Sequence, residues 1–120
     1  MVCAEEFEEF LEVLDSVLDI PVIVEGPNDK AALEELGFCE VHVLDEPPFA
    51  VAERFSKKDE VQILTDFDGE GKRLFRVLRH LLSQRGARID RRLRLAVKEM
   101  GVTQIEELAT FVNRREFSFR

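Results

Sequence analysis

Four acidic residues follow two short apolar runs of the sequence. Glu25 ends the run PVIVE, and the run VQILT leads into a stretch that holds Asp66, Asp68 and Glu70. Asp66 and Asp68 alternate along an extended or turning backbone, so their side chains can point the same way. Gathered carboxylates repel one another, and proteins tolerate this when a divalent cation lies among them. Mg²⁺, with Mn²⁺ as a substitute, fits best because it prefers hard oxygen ligands and leaves positions for water and phosphate.

Both apolar runs are predicted β-strands, and a helical pattern follows each of them. The period of apolar residues predicts strands at 21–25, 40–44 and 61–65, with a candidate fourth at 87–90. Helices are predicted at 4–18, 29–36, 49–55, 70–84 and 91–100, and a capping box from Thr103 to Glu106 opens a last one. This alternation is typical of a right-handed parallel α/β sheet. If the first and third strands are neighbours, Glu25 lies beside Asp66 and Asp68 at the carboxyl edge.

Length and composition limit the class of protein. A chain of 120 residues suits one domain, with a core at 21–90, an N-terminal helix within 1–20 and a helical extension at 91–120. The acidic start MVCAEEFEE and the absence of a long apolar run predict a soluble, cytoplasmic protein without a membrane partner. Cys3 and Cys39 lie far apart in sequence and form no CxxC motif, so we expect reduced thiols rather than a zinc site.

Charge is distributed unevenly along the chain, whose net charge is −8. Residues 1–71 hold 20 acidic and 4 basic residues, whereas residues 72–94 hold 9 basic residues and 1 acidic residue. Screening limits the reach of distant charge to about 10 Å at ordinary salt, so the basic segment can attract phosphate although the whole chain is acidic. Its basic residues form a predicted nucleic-acid track: Lys72, Arg73, Arg76, Arg79, Arg85, Arg88, Arg91, Arg92 and Arg94. The alternative is a solvated helix face that pairs with the acidic half.

Other motifs with a similar acidic stretch lack residues that they require here. A Walker A loop would need glycine where Asp66 stands, and an EF-hand loop would need glutamate where Val77 stands. A phosphoacceptor receiver domain would need a second acid beside Glu25. The simplest alternative makes Asp66 and Asp68 ordinary turn and helix-start residues. Glu70 is equally compatible with a metal ligand and with a first-turn glutamate favoured by the helix dipole.

Together, the stretches VIVEGPNDKAALEELG and ILTDFDGEG resemble the Toprim domain, which topoisomerases, bacterial primases, overcoming-lysogenization-type nucleases and small ribosomal-RNA maturation nucleases share. The resemblance covers residues 22–86. Glu25 and Gly26 match the family's glutamate and glycine, Asp66 and Asp68 its aspartate pair, and Gly71 its downstream glycine. The implied fold is a Toprim/Rossmann-like three-layer α/β/α arrangement with a central, mostly parallel four-stranded sheet.

The resemblance also implies a chemistry. In the family the aspartates hold Mg²⁺, and the glutamate acts as general acid or base or helps with the metal. Lys30 would then reach a phosphate near Glu25, with a solvated lysine or a local salt bridge as the alternative. The chain has no tyrosine, so topoisomerase activity would need a partner's nucleophile. The leading hypothesis is a Mg-dependent nuclease or related phosphotransferase acting on RNA or DNA. The alternative is a non-catalytic nucleic-acid-binding or adaptor module that completes a larger complex with a protein partner.

Overall fold

Strands and helices alternate along the chain as predicted. The computed structural model describes residues 3–118, and the side chains of residues 3–114. Its elements are α1 Ala4–Ser16, β1 Val22–Val24, α2 Pro27–Glu35, β2 Val41–Val43, α3 Pro48–Ala52, β3 Glu60–Ile63, α4 Gly69–Gln84, β4 Arg88–Ile89, α5 Arg92–Glu99, a 3₁₀ turn Ile105–Glu107 and α6 Leu108–Ser118.

The sheet has four parallel strands in the order β2-β1-β3-β4. Val22 of β1 is opposite Val41 on one side and Gln62 on the other. The first and third strands are therefore neighbours, as the site prediction required. Because all strands point the same way, the residues that follow β1 and β3 meet at one edge of the sheet.

Helices cover both faces of the sheet and give the three-layer α/β/α arrangement. One core joins Val22 and Val24 to apolar side chains of α1, α2, α5 and α6. The other core joins Ile23, on the opposite face of β1, to α3 and α4. Phe7 and Phe10 of α1 are 2% and 1% exposed, which confirms that this amphipathic helix packs on its own sheet. No described helix is long and apolar enough to cross a membrane.

Two helix starts differ by more than one residue from the sequence-based expectation. α2 begins at Pro27 rather than at residue 29, because proline has a suitable φ and needs no hydrogen-bond acceptor at the first helical position. The predicted capping box from Thr103 to Glu106 is wrong: the chain enters a 3₁₀ turn after Gln104, without a side-chain cap. The N–H of Ile105 donates instead to Asp66, so a contact distant in sequence replaces the local cap.

Candidate metal and nucleic-acid site

Glu25 and Asp66 meet where β1 and β3 end. Leu64 N–H donates to the Ile23 carbonyl at 2.9 Å, which continues the strand pairing to the edge of the sheet. Immediately beyond, Glu25 Oε2 accepts a hydrogen bond from the backbone N–H of Asp66 at 2.6 Å. The two residues are 41 positions apart in sequence and are held together by the register of the parallel strands.

The C-terminal part of the chain fixes the orientation of Asp66. Asp66 Oδ1 accepts a hydrogen bond from Ile105 N–H at 2.8 Å, and Phe67 N–H donates to the Thr103 carbonyl at 3.0 Å. Each of Glu25 and Asp66 thus uses one carboxylate oxygen to accept a backbone N–H. Within the described chain the second oxygen of each accepts no hydrogen bond and is free for a ligand.

Asp68 is the N-cap of α4. Its Oδ1 accepts from Gly71 N–H at 2.7 Å, while the buried Thr65 hydroxyl donates to the Gly71 carbonyl at 2.6 Å. These two bonds fold the DFDGEG segment back onto the end of β3. The simple interpretation of Asp68 as a helix-start residue is therefore correct, and it leaves Oδ2 for a second role.

The two roles of Asp68 can be separated by substitution. Asp68→Ala removes the cap and should lower the free energy of unfolding by about 1 kcal/mol. Asp68→Ser keeps a capping oxygen and should lower it by only about 0.3 kcal/mol. If Asp68 also binds metal, both variants lose Mg²⁺ affinity to a similar extent. Chemical denaturation and calorimetric Mg²⁺ titration measure the two effects, and unchanged Mg²⁺ affinity in the serine variant would leave Asp68 only its capping role.

Glu70 and Lys30 form no hydrogen bond with Glu25 or Asp66 in the described chain. Glu70 forms a two-point ion pair with Arg73, at 2.7 and 3.0 Å, which lowers the pKa of Glu70. Lys30 is half-buried in the first turn of α2. Within residues 3–118 no group of three or more His, Cys, Asp or Glu side chains is arranged to hold a metal ion. The ligand set of Glu25, Asp66, Asp68 and Glu70 therefore stays a prediction.

The electrostatics of this edge suit a cation. Burial raises the pKa of Glu25, the hydrogen bond from Asp66 N–H opposes that shift, and the negative charges of Asp66, Asp68 and Asp29 add to it. Asp29 is only 7% exposed and accepts from Gly26 N–H at 3.0 Å; its pKa is also raised, mainly by burial. Repulsion among these acids would favour a bound cation, and Mg²⁺ prefers oxygen ligands of this kind, although no three of the described side chains are gathered into a metal-binding group.

Arg94 has a place that the sequence analysis missed. The prediction that it lines the nucleic-acid track is wrong, because only 8% of the residue is exposed. Its Nη1 donates to the Thr65 carbonyl at 2.7 Å, and the guanidinium carbon lies 4.5 Å from the Phe67 ring centre and 4.3 Å from that of Phe75. Phenylalanines in DFDG and early in α4 were a sequence signal for such a stacked arginine, but not for which arginine it would be.

The other basic residues of the predicted track fall into three groups. Arg85 donates from Nε to the Phe55 carbonyl at 2.7 Å and so ties the end of α4 to the segment after α3. Arg73 and Arg88 form exposed ion pairs with Glu70 and Glu60. Arg92 pairs with the largely buried carboxylate of Asp90, and Arg91 lies over Phe75 at 5.8 Å. Three residues are exposed and form no ion pair within the described chain: Lys72, Arg76 and Arg79.

Two of the site acids, Glu25 and Asp66, are half-buried, and Asp68 is exposed. A groove of about 1130 Å³ between α2 and α6 has Asn28 and Glu106 in its wall, but none of Glu25, Asp66 and Asp68. These acids therefore lie beside the groove and not inside it.

Comparison with known proteins identifies the family. Residues 21–100 match the Toprim domain. The chain belongs to the Toprim family. The match includes both acidic stretches, so Glu25, Asp66 and Asp68 of this Toprim protein stand within the matched region. Toprim proteins process nucleic acid and generally bind Mg²⁺.

Several archaeal relatives align over nearly the whole Toprim protein. A UPF0292 protein of Methanocaldococcus jannaschii is 32% identical, with 94% of this chain and 97% of that one covered. A UPF0292 protein of Pyrococcus abyssi is 33% identical, with 92% and 86% covered. The chain therefore also belongs to the UPF0292 family. Among solved structures, a putative protein from Aquifex aeolicus superimposes with a TM-score of 0.70 at 29% identity, covering 88% of this chain and 97% of that one.

Proposed function

We propose that this protein is a Mg-dependent nuclease or related phosphotransferase that acts on RNA or DNA. The observation that carries the proposal is the joining of Glu25 to Asp66 across neighbouring strand ends, beside the start of α4 with its exposed basic side chains. Hydrolysis of a phosphodiester needs a positioned water, neutralisation of phosphate charge and a bound strand. The residues at this edge can meet each of these requirements.

Asp66 and Asp68 are the proposed metal ligands, through the oxygens that do not accept backbone N–H groups. When bound, Mg²⁺ supplies charge neutralisation at the scissile phosphate. The contacts of Asp66 with Ile105 and of Asp68 with Gly71 orient both carboxylates before any ligand arrives. Glu70 would join the ligand set only by giving up its ion pair with Arg73.

Glu25 is the proposed general base. Oε2 is held by Asp66 N–H, which leaves Oε1 to orient and deprotonate a water. The raised pKa of Glu25 suits the role because a base works best when its pKa lies closer to the working pH. Gly26 leaves the approach to Glu25 open, since a Cβ at that position would meet no atom within 4 Å. Lys30, one turn into α2, is the proposed phosphate contact on this side.

The proposed substrate track begins at α4. Lys72, Arg76 and Arg79 are exposed and free of ion pairs within the described chain, so they can bind phosphate without first losing a partner. Arg73 and Arg88 would exchange an exposed ion pair for a phosphate, which costs little because exposed ion pairs contribute little to stability. Arg91 would give up its contact with Phe75, and Arg92 its ion pair with the largely buried carboxylate of Asp90. Phosphate contacts of this kind position a strand without reading its bases.

Arg76 and Arg85 are a matched pair for testing the track. Arg76→Met should weaken nucleic-acid binding and reduce the slope of log affinity against log salt by about 1, with stability unchanged. Arg85→Met should destabilise the protein by about 1 kcal/mol, because it removes hydrogen bonds to the Phe55 and Glu53 carbonyls, and should leave the salt slope unaltered. Fluorescence anisotropy over a salt series and chemical denaturation measure both; equal salt slopes in the two variants would contradict the assignment.

A non-catalytic binding module is the second candidate. One observation favours it: each site acid already has a partner, since Asp66 and Asp68 accept backbone N–H groups and Glu70 pairs with Arg73. In that case the acids serve mainly to fold the edge, and the exposed basic residues of α4 bind nucleic acid within a larger assembly.

A cleavage assay distinguishes the two candidates. Purified protein is incubated with structured RNA, single-stranded DNA and duplex DNA, in Mg²⁺, Mn²⁺ or EDTA, beside Glu25→Gln and Asp66→Asn. A nuclease gives metal-dependent products that disappear in both variants. Salt-sensitive binding without products would exclude the stand-alone nuclease and favour the binding module.

A further inference from the structure

The guanidinium of Arg94 is buried against the end of β3, next to the site acids. Nη1 reaches the Thr65 carbonyl at 2.7 Å and the Ile63 carbonyl at 3.4 Å, so it contacts the strand directly before Asp66. Phe67 and Phe75 lie at 4.5 and 4.3 Å from its carbon. Two aromatic contacts and two carbonyls thus hold one charged group in a fixed place.

Burial of this charge is unfavourable, and the neighbouring groups offset the unfavourable free energy only in part. Burial lowers the pKa of Arg94 to about 10, while the negative charges of Glu25 and Asp66 act in the opposite direction. The group therefore stays protonated at neutral pH. Within the described residues no carboxylate lies at ion-pair distance from Arg94. Its positive charge therefore acts at longer range on several acids of the edge and not through a direct pair with one of them.

Filling this space with an arginine requires a charged group to leave water, which is unfavourable. An apolar side chain of similar volume usually packs between aromatic rings at lower cost, because no charge has to leave water. What the apolar side chain cannot provide is a hydrogen bond to Thr65 and a positive charge near Glu25 and Asp66. The placement of Arg94 therefore points to an electrostatic task.

We propose that Arg94 is a positioning residue: it supplies a fixed positive charge that compensates the repulsion among the site acids, and it holds the Thr65 carbonyl so that Asp66 stays beside Glu25. The inference rests on the proposed function only in that these acids are the proposed Mg²⁺ ligands. The compensation itself operates in the metal-free protein. It can therefore be measured without metal or substrate.

A double-mutant cycle between Arg94 and Glu25 tests the charge directly. Chemical denaturation in EDTA compares Arg94→Met in the wild-type background and in the Glu25→Gln background. Arg94→Met lowers the folding equilibrium constant by some factor in each background. If Arg94 compensates the acids, that factor is about tenfold smaller in the Glu25→Gln background than in wild type, a coupling typical of interacting charged groups. A purely structural side chain gives the same loss in both backgrounds, and a difference below about twofold would overturn the proposal.

Two further variants separate charge from packing. Arg94→Lys keeps the positive charge, so its coupling to Glu25 should remain, whereas loss of coupling in the lysine variant would overturn the proposal. Arg91→Met is the matched control, because Arg91 also lies over Phe75, at 5.8 Å, but is exposed; it should show no coupling.

Folding failure is also informative. If Arg94→Met is unfolded in EDTA, Glu25→Gln should restore folding, and a double variant that stays unfolded would overturn the proposal. These measurements need neither cleavage nor metal. Coupling between Arg94 and Glu25 without nuclease activity would therefore contradict the proposed function and leave the role of Arg94 intact. Cleavage without coupling would sink the role of Arg94 alone.

Discussion

Glu25→Gln is expected to lower the rate of Mg-dependent cleavage by about 10²- to 10⁴-fold, which is the usual contribution of a general base. The same substitution should raise the thermal stability of the metal-free protein. Glutamine keeps an oxygen to accept the Asp66 N–H, and it removes a charge whose pKa is raised by burial and by neighbouring acids. Single-turnover cleavage kinetics and thermal unfolding in EDTA measure the two effects on one pair of proteins.

The pH dependence of the stability of the metal-free protein follows from the raised pKa of Glu25. The unfolded chain loses this proton at a lower pH than the folded protein, so the stability of the metal-free protein falls as pH rises from about 4.5, the ordinary pKa of a glutamate, through the raised pKa of the folded state. Glu25→Gln should reduce this slope, and the part that remains is attributed to Asp29, whose pKa is raised as well. A variant that is less stable than wild type at neutral pH, or an unchanged slope, would contradict this account of Glu25.

Gly71→Ala is the second substitution with a large expected effect. A Cβ at Gly71 would overlap the backbone carbonyl of Asp66, because DFDGEG folds back so closely that the start of α4 touches the end of the strand. Backbone atoms cannot escape by changing rotamer, so we expect a loss of about 3 kcal/mol in the free energy of unfolding. The shift of Asp66 should also remove Mg-dependent cleavage.

Gly69 provides the matched control for this prediction. It is the first residue of α4, two positions from Gly71, and a Cβ there would meet nothing within 4 Å. Gly69→Ala should therefore be neutral or stabilise the protein by up to about 1 kcal/mol through helix propensity. Chemical denaturation of both variants is the measurement; equal losses at the two positions would show that close approach to Asp66 is not what requires glycine.

Sequence alone predicted the elements that local patterns determine. The apolar runs before Glu25 and Asp66 became neighbouring parallel strands, and the stripe of α4 with Leu78 and Leu82 became buried. These predictions succeeded because the alternation of strands and helices allows few arrangements of a short parallel sheet. The meeting of Glu25 and Asp66 at one edge follows from that topology.

Contacts distant in sequence were beyond such patterns. Thr103 to Glu106 has the letters of a capping box, yet the tertiary contact with Asp66 takes the Ile105 N–H and a 3₁₀ turn forms. Arg94 stands in a basic run that reads as one solvated track, yet its position on α5 turns it toward Phe67 and Phe75. In both cases a partner more than 15 residues away decides the local structure, and periodicity carries no record of it.

The most direct measurement is the cleavage rate of the best nucleic-acid substrate as a function of Mg²⁺ concentration, for wild type and Asp66→Asn. Asparagine keeps an oxygen for the Ile105 N–H and removes the charge that would hold the ion, so the variant should fold. The site predicts a wild-type rate that saturates with Mg²⁺ and a variant that is slower by at least about 10²-fold. A rate independent of Mg²⁺, or the same curve for both proteins, would contradict a metal-dependent nuclease at this edge.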